Sequence, residues 1–174
     1  MEFLDLVLNR QSAREYNGKQ VEKETLEKIV EIARNTPSAC NSQPWKMVVV
    51  TNNEIGDKVR EALTVGGRNP FLKDVKTFIC LVEEPTVLMP GINVPSDYYT
   101  EYDIGELIAY ITLAAESLGV SSCIIGRVDS VKIKDAISLN DNENCKIAIA
   151  LGYSNTPKRA KKRKNKEETV SFIC

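Results

Sequence analysis

The chain has 174 residues, a length that suits one folded domain. With 43% hydrophobic and 27% charged residues it has the composition for a packed core, which excludes global disorder, and a net charge of −1 argues against nucleic acid as the main partner. It contains no histidine, which excludes Ser-His-Asp hydrolases, Cys-His proteases, histidine zinc sites and histidine general bases, and leaves carboxylates, Lys, Cys, Tyr or a bound cofactor to carry any chemistry.

Phe3, Leu4, Val7 and Leu8 form a short helical stripe over residues 2–9. Leu26, Ile29, Val30 and Ala33 follow the i, i+3, i+4, i+7 spacing of an amphipathic helix over 22–34. From 35 to 44 the periodicity stops, and Pro37, Ser38, Asn41, Ser42 and Pro44 predict a loop. The β-branched run 46–51 predicts a buried strand, and 54–63 a helix capped by Asn53. Gly66-Gly67 and Asn69-Pro70 mark a loop, and 77–82 reads as a second buried strand. Pro85, Pro90, Gly91 and Pro95 make 85–100 an irregular excursion, either a lid or a variable surface loop.

The longest helix is predicted over 101–118, where Ile104, Leu107, Ile108, Ile111, Leu113, Ala114 and Ala115 make it apolar on several sides. Such a helix is either central or part of a subunit interface. A short strand at 122–125 ends at Gly126, Ser130 is expected to cap a helix running to Ile137, and 145–151 is a buried strand ending at Gly152. Residues 157–174 form a basic tail followed by a β-type run at 170–174. Together these elements predict an α+β layout, one domain over 1–174 with a central sheet flanked by helices.

Five cysteines, an odd number without C-x-x-C spacing, include three in apolar runs: Cys80, Cys123 and Cys145. They read as buried thiols of a soluble protein in a reducing cytoplasm. No signal-peptide pattern and no membrane-length apolar run is visible.

Four segments could carry chemistry. Arg10, Gln11, Ser12 and Arg14 close the first helix with two guanidiniums and a hydroxyl, a pattern suited to gripping phosphate, or simply a solvated basic turn. Residues 37–45, PSACNSQPW, combine small side chains that let backbone approach a flat ligand with amides that can meet a polar ring edge. The alternative is an ordinary polar loop with Trp45 plugging the core. Gly126 either offers its backbone N–H to a ligand or merely turns the chain. Seven of the nine positions 158–166 are basic, which suits phosphate neutralisation, a nucleic-acid or anionic-surface contact, or a solvated tail. Neither a dinucleotide-binding glycine fingerprint nor a P-loop is present.

In this order the four segments resemble the nitroreductase family of FMN enzymes. The resemblance runs from about Phe3 to Thr169 and is sharpest in PSACNSQPW, with support from Arg10 to Arg14, Asp103-Ile104-Gly105, Leu118-Gly119, Ser122 to Gly126, Leu151-Gly152-Tyr153 and Lys161 to Glu168. It implies a mostly antiparallel sheet between helices, built as an intertwined homodimer with two FMN sites across the subunit interface. It also implies that Arg10, Gln11, Ser12, Arg14, Lys161 and Arg163 contact the flavin phosphate and ribityl chain. Pro37, Ser38, Ala39, Cys40, Asn41 and Gln43 would reach the flavin from the other subunit. Ile125 and Gly126 would flank the ring, and Asn69 its polar edge.

The implied activity passes a hydride from NADH or NADPH through flavin N5 to a small planar oxidised acceptor, a nitroaromatic or quinone, with ping-pong kinetics and no catalytic side chain. No metal, nucleic acid or membrane enters this reading. Asn165 stands where many relatives have Pro, and the central region is short, so donor and acceptor preference stay open. The rival readings are another flavin reaction on the same fold, such as ene reduction or dehalogenation, and a non-catalytic flavin- or nucleic-acid-binding module built on the basic run.

Overall fold

The computed structural model describes residues 2–95 and 97–173. Its sheet has four strands: β1 (Trp45–Val50), β2 (Thr77–Glu83), β3 (Ser121–Ile125) and β4 (Asn144–Gly152). They run in the order β1-β2-β4-β3, and every pair is antiparallel. The helices are α1 (Phe3–Asn9), α2 (Lys23–Ala33), α3 (Asn53–Leu63), α4 (Thr100–Ser117), α5 (Ser130–Ile137) and α6 (Lys166–Thr169). The α+β layout and the antiparallel sheet match the expectation.

Side chains alternate across a strand, and that alternation divides the core in two. On one face Phe78 and Cys80 of β2 and Ala148 and Ala150 of β4 meet Val59, Ala62 and Leu63 of α3 and Ile133 and Ala136 of α5. On the other face Ile79, Leu81, Ile149 and Leu151 meet Leu26, Ile29 and Ala33 of α2 and Ile104, Leu107 and Ile111 of α4. Both central strands are thus buried on both faces, which is why their sequences read as continuous apolar runs. Each fully buried Leu, Ile or Phe contributes roughly 1.5–3 kcal/mol. Cys80, Cys123 and Cys145 are buried free thiols, as expected.

The structure corrects several local expectations. Asn52, not Asn53, caps α3, its side chain accepting from the Ile55 N–H at 3.1 Å. Asp129, not Ser130, caps α5, accepting from Val131 and Lys132. The unanticipated α6 begins at a capping box in which Asn165 and Glu168 bond each other's backbone N–H groups. The β-type run expected at 170–174 joins no strand of this chain among the described residues, and Cys174 lies outside them. The stripe of α1 buries none of its residues within the chain: Phe3 is 71% exposed and Leu8 59%.

Candidate functional site

After α1 the chain turns and runs extended beside β3, the free edge of the sheet. The Arg10 N–H closes on the Leu6 carbonyl at 2.9 Å, Ser12 bridges Ser122, and the Ala13 N–H donates to the Ser122 carbonyl at 2.9 Å. In an extended chain alternate side chains share a side, so Arg10, Ser12 and Arg14 can act together. The basic run, far away in sequence, folds onto this segment. The Arg159 N–H donates to Gln11 Oε1 at 3.3 Å, its guanidinium donates to the Ser12 carbonyl at 3.2 Å, and Lys161 Nζ donates to the Val7 carbonyl at 2.6 Å. Lys158 is anchored on Glu116 at 2.7 Å. The run is therefore a wall of a site.

Between the two segments lies a cleft of about 470 Å³ lined by residues 10–12, 14 and 159–163. Arg10, Arg14, Arg159, Lys161, Lys162 and Arg163 bring six cations to it and no lining residue is a carboxylate. Burial pushes the Arg10 guanidinium below its ordinary pKa. Lys161 is pushed down by desolvation and then by the charges of Arg163 and Arg10. Arg10 Nε and Nη2 are buried and have no hydrogen-bond partner among the described residues. A buried donor without a partner costs about 1–3 kcal/mol, more when charged. Crowded cations and unpartnered donors suit this cleft to an anion.

A second cleft of about 230 Å³ shares Arg14 with the first and continues over Arg68, Asn69, Phe71 and residues 123–127. Asn69 holds a left-handed φ of 54°, and its amide donates to the Leu63 carbonyl at 2.9 Å. The Ile125 side chain is buried in the core, so this residue can offer only backbone to the cleft. Gly126 is exposed, and a Cβ there would meet nothing within 4 Å. Burial pushes the Cys123 thiol up against the lowering effect of Arg14, Ser12 and Arg10, so it is not a thiolate at neutral pH.

The segment 37–43 lines neither cleft of this chain. It is nonetheless tightly specified. Cys40, Asn41 and Gln43 all have left-handed φ values near 50°, so with Asn69 four of the five non-glycine residues of positive φ belong to the positions singled out from sequence. Such residues persist only where their surroundings hold them, and they cluster at functional sites. Here Ser38 Oγ accepts from the Gln43 N–H at 2.9 Å, Ser42 Oγ accepts from the Val87 N–H at 2.6 Å, and the Asp103 carboxylate of α4 accepts from the Ala39 N–H at 3.1 and 3.3 Å.

The structure thus brings together Arg10, Gln11, Ser12, Arg14, Lys161 and Arg163, sets Asn69, Ile125 and Gly126 beside them, and leaves 37–43 apart. Sequence reasoning missed Arg68 and Arg127, isolated cations with no local pattern, and the link from Asp103 to Ala39. Arg159 and Lys162 were visible only as members of the basic run. Among the described residues no cluster of His, Cys, Asp and Glu could hold a metal, and no helix is long and apolar enough to cross a membrane.

The model of the nitroreductase family matches residues 7–153. A protein of Archaeoglobus fulgidus, provisionally named NADH dehydrogenase/NAD(P)H nitroreductase, is 30% identical over 156 residues, covering 87% of this chain and 85% of that protein. An oxygen-insensitive NADPH nitroreductase of Helicobacter acinonychis is 28% identical over 86% of each chain. Among solved structures, a nitroreductase family protein of Clostridium difficile superposes with a TM-score of 0.83 at 26% identity, covering 100% of this chain and 99% of that one.

Proposed function

The chain belongs to the nitroreductase family, and from that premise we propose that it is an FMN-dependent oxidoreductase. In this reading it takes two electrons from NADH or NADPH and delivers them to a small planar oxidised acceptor such as a nitroaromatic or quinone. The observation that carries the proposal is the half-buried Arg10 guanidinium, with Nε and Nη2 buried and unpartnered among the described residues, in a cleft of six cations. A phosphate monoester fits that donor set: Arg10 and Arg14 present planar forks, Ser12 a hydroxyl, and Lys161 and Arg163 further charge.

Bound there, FMN supplies the redox chemistry, taking up and giving out a hydride at its ring. The chain's own residues then have three tasks. Arg10, Arg14, Lys161 and Arg163 would hold the phosphate. The open backbone at Ile125 and Gly126 and the amide of Asn69 line the adjoining cleft, where a ring sharing Arg14 with the phosphate cleft would lie. The cationic field also favours a ligand that gains negative charge on reduction. No side chain is needed as nucleophile or general base, which agrees with a chain that has no histidine.

The second copy enters as part of the same proposal. The apolar residues of α1 and the terminal Phe172 and Ile173 are exposed, and a groove of about 340 Å³ is lined by Phe3, Leu6, Ile32, Tyr110, Leu113, Ala114 and Ser117. In a homodimer these surfaces would be covered, and 37–43 of one copy would reach the cleft of the other.

A second reading, reductive dehalogenation, has weaker support from relatives that include an iodotyrosine deiodinase of Haliscomenobacter hydrossis, 22% identical over 87% of this chain and 79% of that protein. A steady-state panel of nitroaromatic, quinone and halotyrosine acceptors separates the two. For the proposal as a whole, the purified protein should be yellow, release FMN on denaturation and bleach on anaerobic addition of NADH or NADPH. A colourless protein that takes up no added FMN contradicts it.

A further inference from the structure

Asp103 is the buried carboxylate of the first turn of α4. It is 5% exposed, and no lysine or arginine pairs with it among the described residues. Its two carboxylate oxygens share one N–H, that of Ala39. A buried carboxylate is costly unless charge or hydrogen bonds compensate it. Here the compensation is the first turn of α4, whose free N–H groups favour negative charge, and the amide at the start of the strained loop.

The loop needs such a tie. Cys40, Asn41 and Gln43 each sit in a region costing of order 1–3 kcal/mol for a non-glycine residue. Its remaining side-chain bonds are to itself or to the 84–87 stretch, through Ser38 to Gln43, Gln43 to Asn41 and Ser42 to Val87. Among the described residues, only the Asp103 side-chain contact couples the loop to α4. Asp103 stands one residue before the apolar stripe that packs α4 into the core, beginning at Ile104.

We propose that Asp103 is a positioning residue: its carboxylate, held by α4, anchors Ala39 and so sets the loop that follows, with its left-handed Cys40, Asn41 and Gln43, in the conformation that faces the flavin of the other subunit. The inference rests on the reading that this loop lies at the ring. Asp103 touches neither flavin nor substrate. It acts through Ala39, and it makes the loop a rigid surface rather than one that orders only on binding.

The test compares Asp103→Asn and Asp103→Ala with Asn41→Gly, which preserves the positive φ but deletes a loop side chain, all in the full-length protein. Asp103→Asn keeps the shape and one acceptor, so it should fold even where Asp103→Ala does not. In the apoprotein, amide exchange at residues 39–43 should speed at least about tenfold in Asp103→Asn, the equivalent of about 1.4 kcal/mol of local stability. In the loaded protein, flavin reduction per bound FMN should slow by about tenfold or more, the flavin midpoint potential should shift, and KM should move less than kcat. A merely structural Asp103 would lower the melting temperature with reduction rate and potential per bound flavin unchanged, and that result overturns the proposal. Unchanged exchange at 39–43 also overturns it. If Asn41→Gly alters flavin affinity while Asp103→Asn does nothing, the loop is at the ring and only the role of Asp103 fails. If Asn41→Gly and Asp103→Asn both leave flavin behaviour untouched, the placement of the loop fails with it.

Discussion

The cation cleft and the 37–43 loop are built on opposite principles. In the cleft the groups are held from behind and left unsatisfied in front. Arg159 and Lys161 hydrogen-bond the Ser12 and Val7 backbone, while Arg10 keeps two buried donors unpaired among the described residues and desolvation, followed by neighbouring charge, presses the Lys161 pKa down. The loop is instead tied down around its strained residues: Ser38 accepts from Gln43, Ser42 from Val87, and Asp103 from Ala39. On the proposed function, one region would be stabilised by what it binds, and the other is shaped before anything binds. A ligand with a charged end and a flat, weakly polar end needs one of each, since charge tolerates some slack whereas a reacting ring does not.

Arg10→Met tests that contrast most severely. It removes two buried, unpartnered guanidinium nitrogens at similar volume, so the apoprotein should melt at a higher temperature while FMN affinity falls about tenfold to a hundredfold, from about 1.5–3 kcal/mol of charge-assisted bonding. Calorimetry of the apoprotein and flavin titration check the two signs. A loss in both would mean that Arg10 is structural.

Gly126→Ala should leave stability nearly unchanged, because the added methyl meets nothing in the chain. It should slow flavin reduction about tenfold if the ring lies against that backbone. A fully active variant, followed by stopped-flow, would move the ring elsewhere. Arg14→Ala comes next. Arg14 is exposed, so solvent screens it, and its loss should weaken FMN retention only several-fold, about 1 kcal/mol. Unchanged affinity would remove Arg14 from the site.

The smallest effect concerns the chain leaving the cleft. Glu22 accepts from Lys19 at 2.7 Å and from the Tyr153 hydroxyl, and these bonds hold its carboxyl near 2 while the same carboxylate pushes Tyr153 up to about 12. A depressed carboxyl pKa adds stability above its unfolded value, and that stability is lost as pH falls from about 4.5 toward about 2. Glu22→Gln should flatten the acid limb of a stability–pH curve over that window with no change in flavin affinity. An unaltered limb would mean that the contact carries no stability.

Much of this was legible in the sequence because one-dimensional pattern decides it. The double-sided burial of 77–82 and 145–151 follows from uninterrupted apolar runs, and α2 from its i, i+3, i+4 spacing. The caps slipped by one residue, Asn52 for Asn53 and Asp129 for Ser130. Adjacent cap-forming residues are distinguished only by which one can reach the N–H groups of the first turn. Asn165 read as a departure from the family pattern, yet with Glu168 three residues later it opens α6 through a capping box whose spacing was visible. In the site, the two cationic segments could be listed but not joined, since only the fold brings Arg159 against Gln11 and Ser12. The orphaned state of Arg10 and the hold of Asp103 on Ala39 are properties of packing between distant elements, and no local pattern encodes them.

The central claim, that the cation cleft exists to hold a flavin phosphate, is met most directly by titrating the apoprotein with FMN and with riboflavin, which differ only in that phosphate. The account predicts that FMN binds on the order of a hundredfold more tightly, from roughly 3 kcal/mol of charge-assisted contact, and that the gap narrows as salt is raised. Equal affinity for the two flavins at low salt would contradict it.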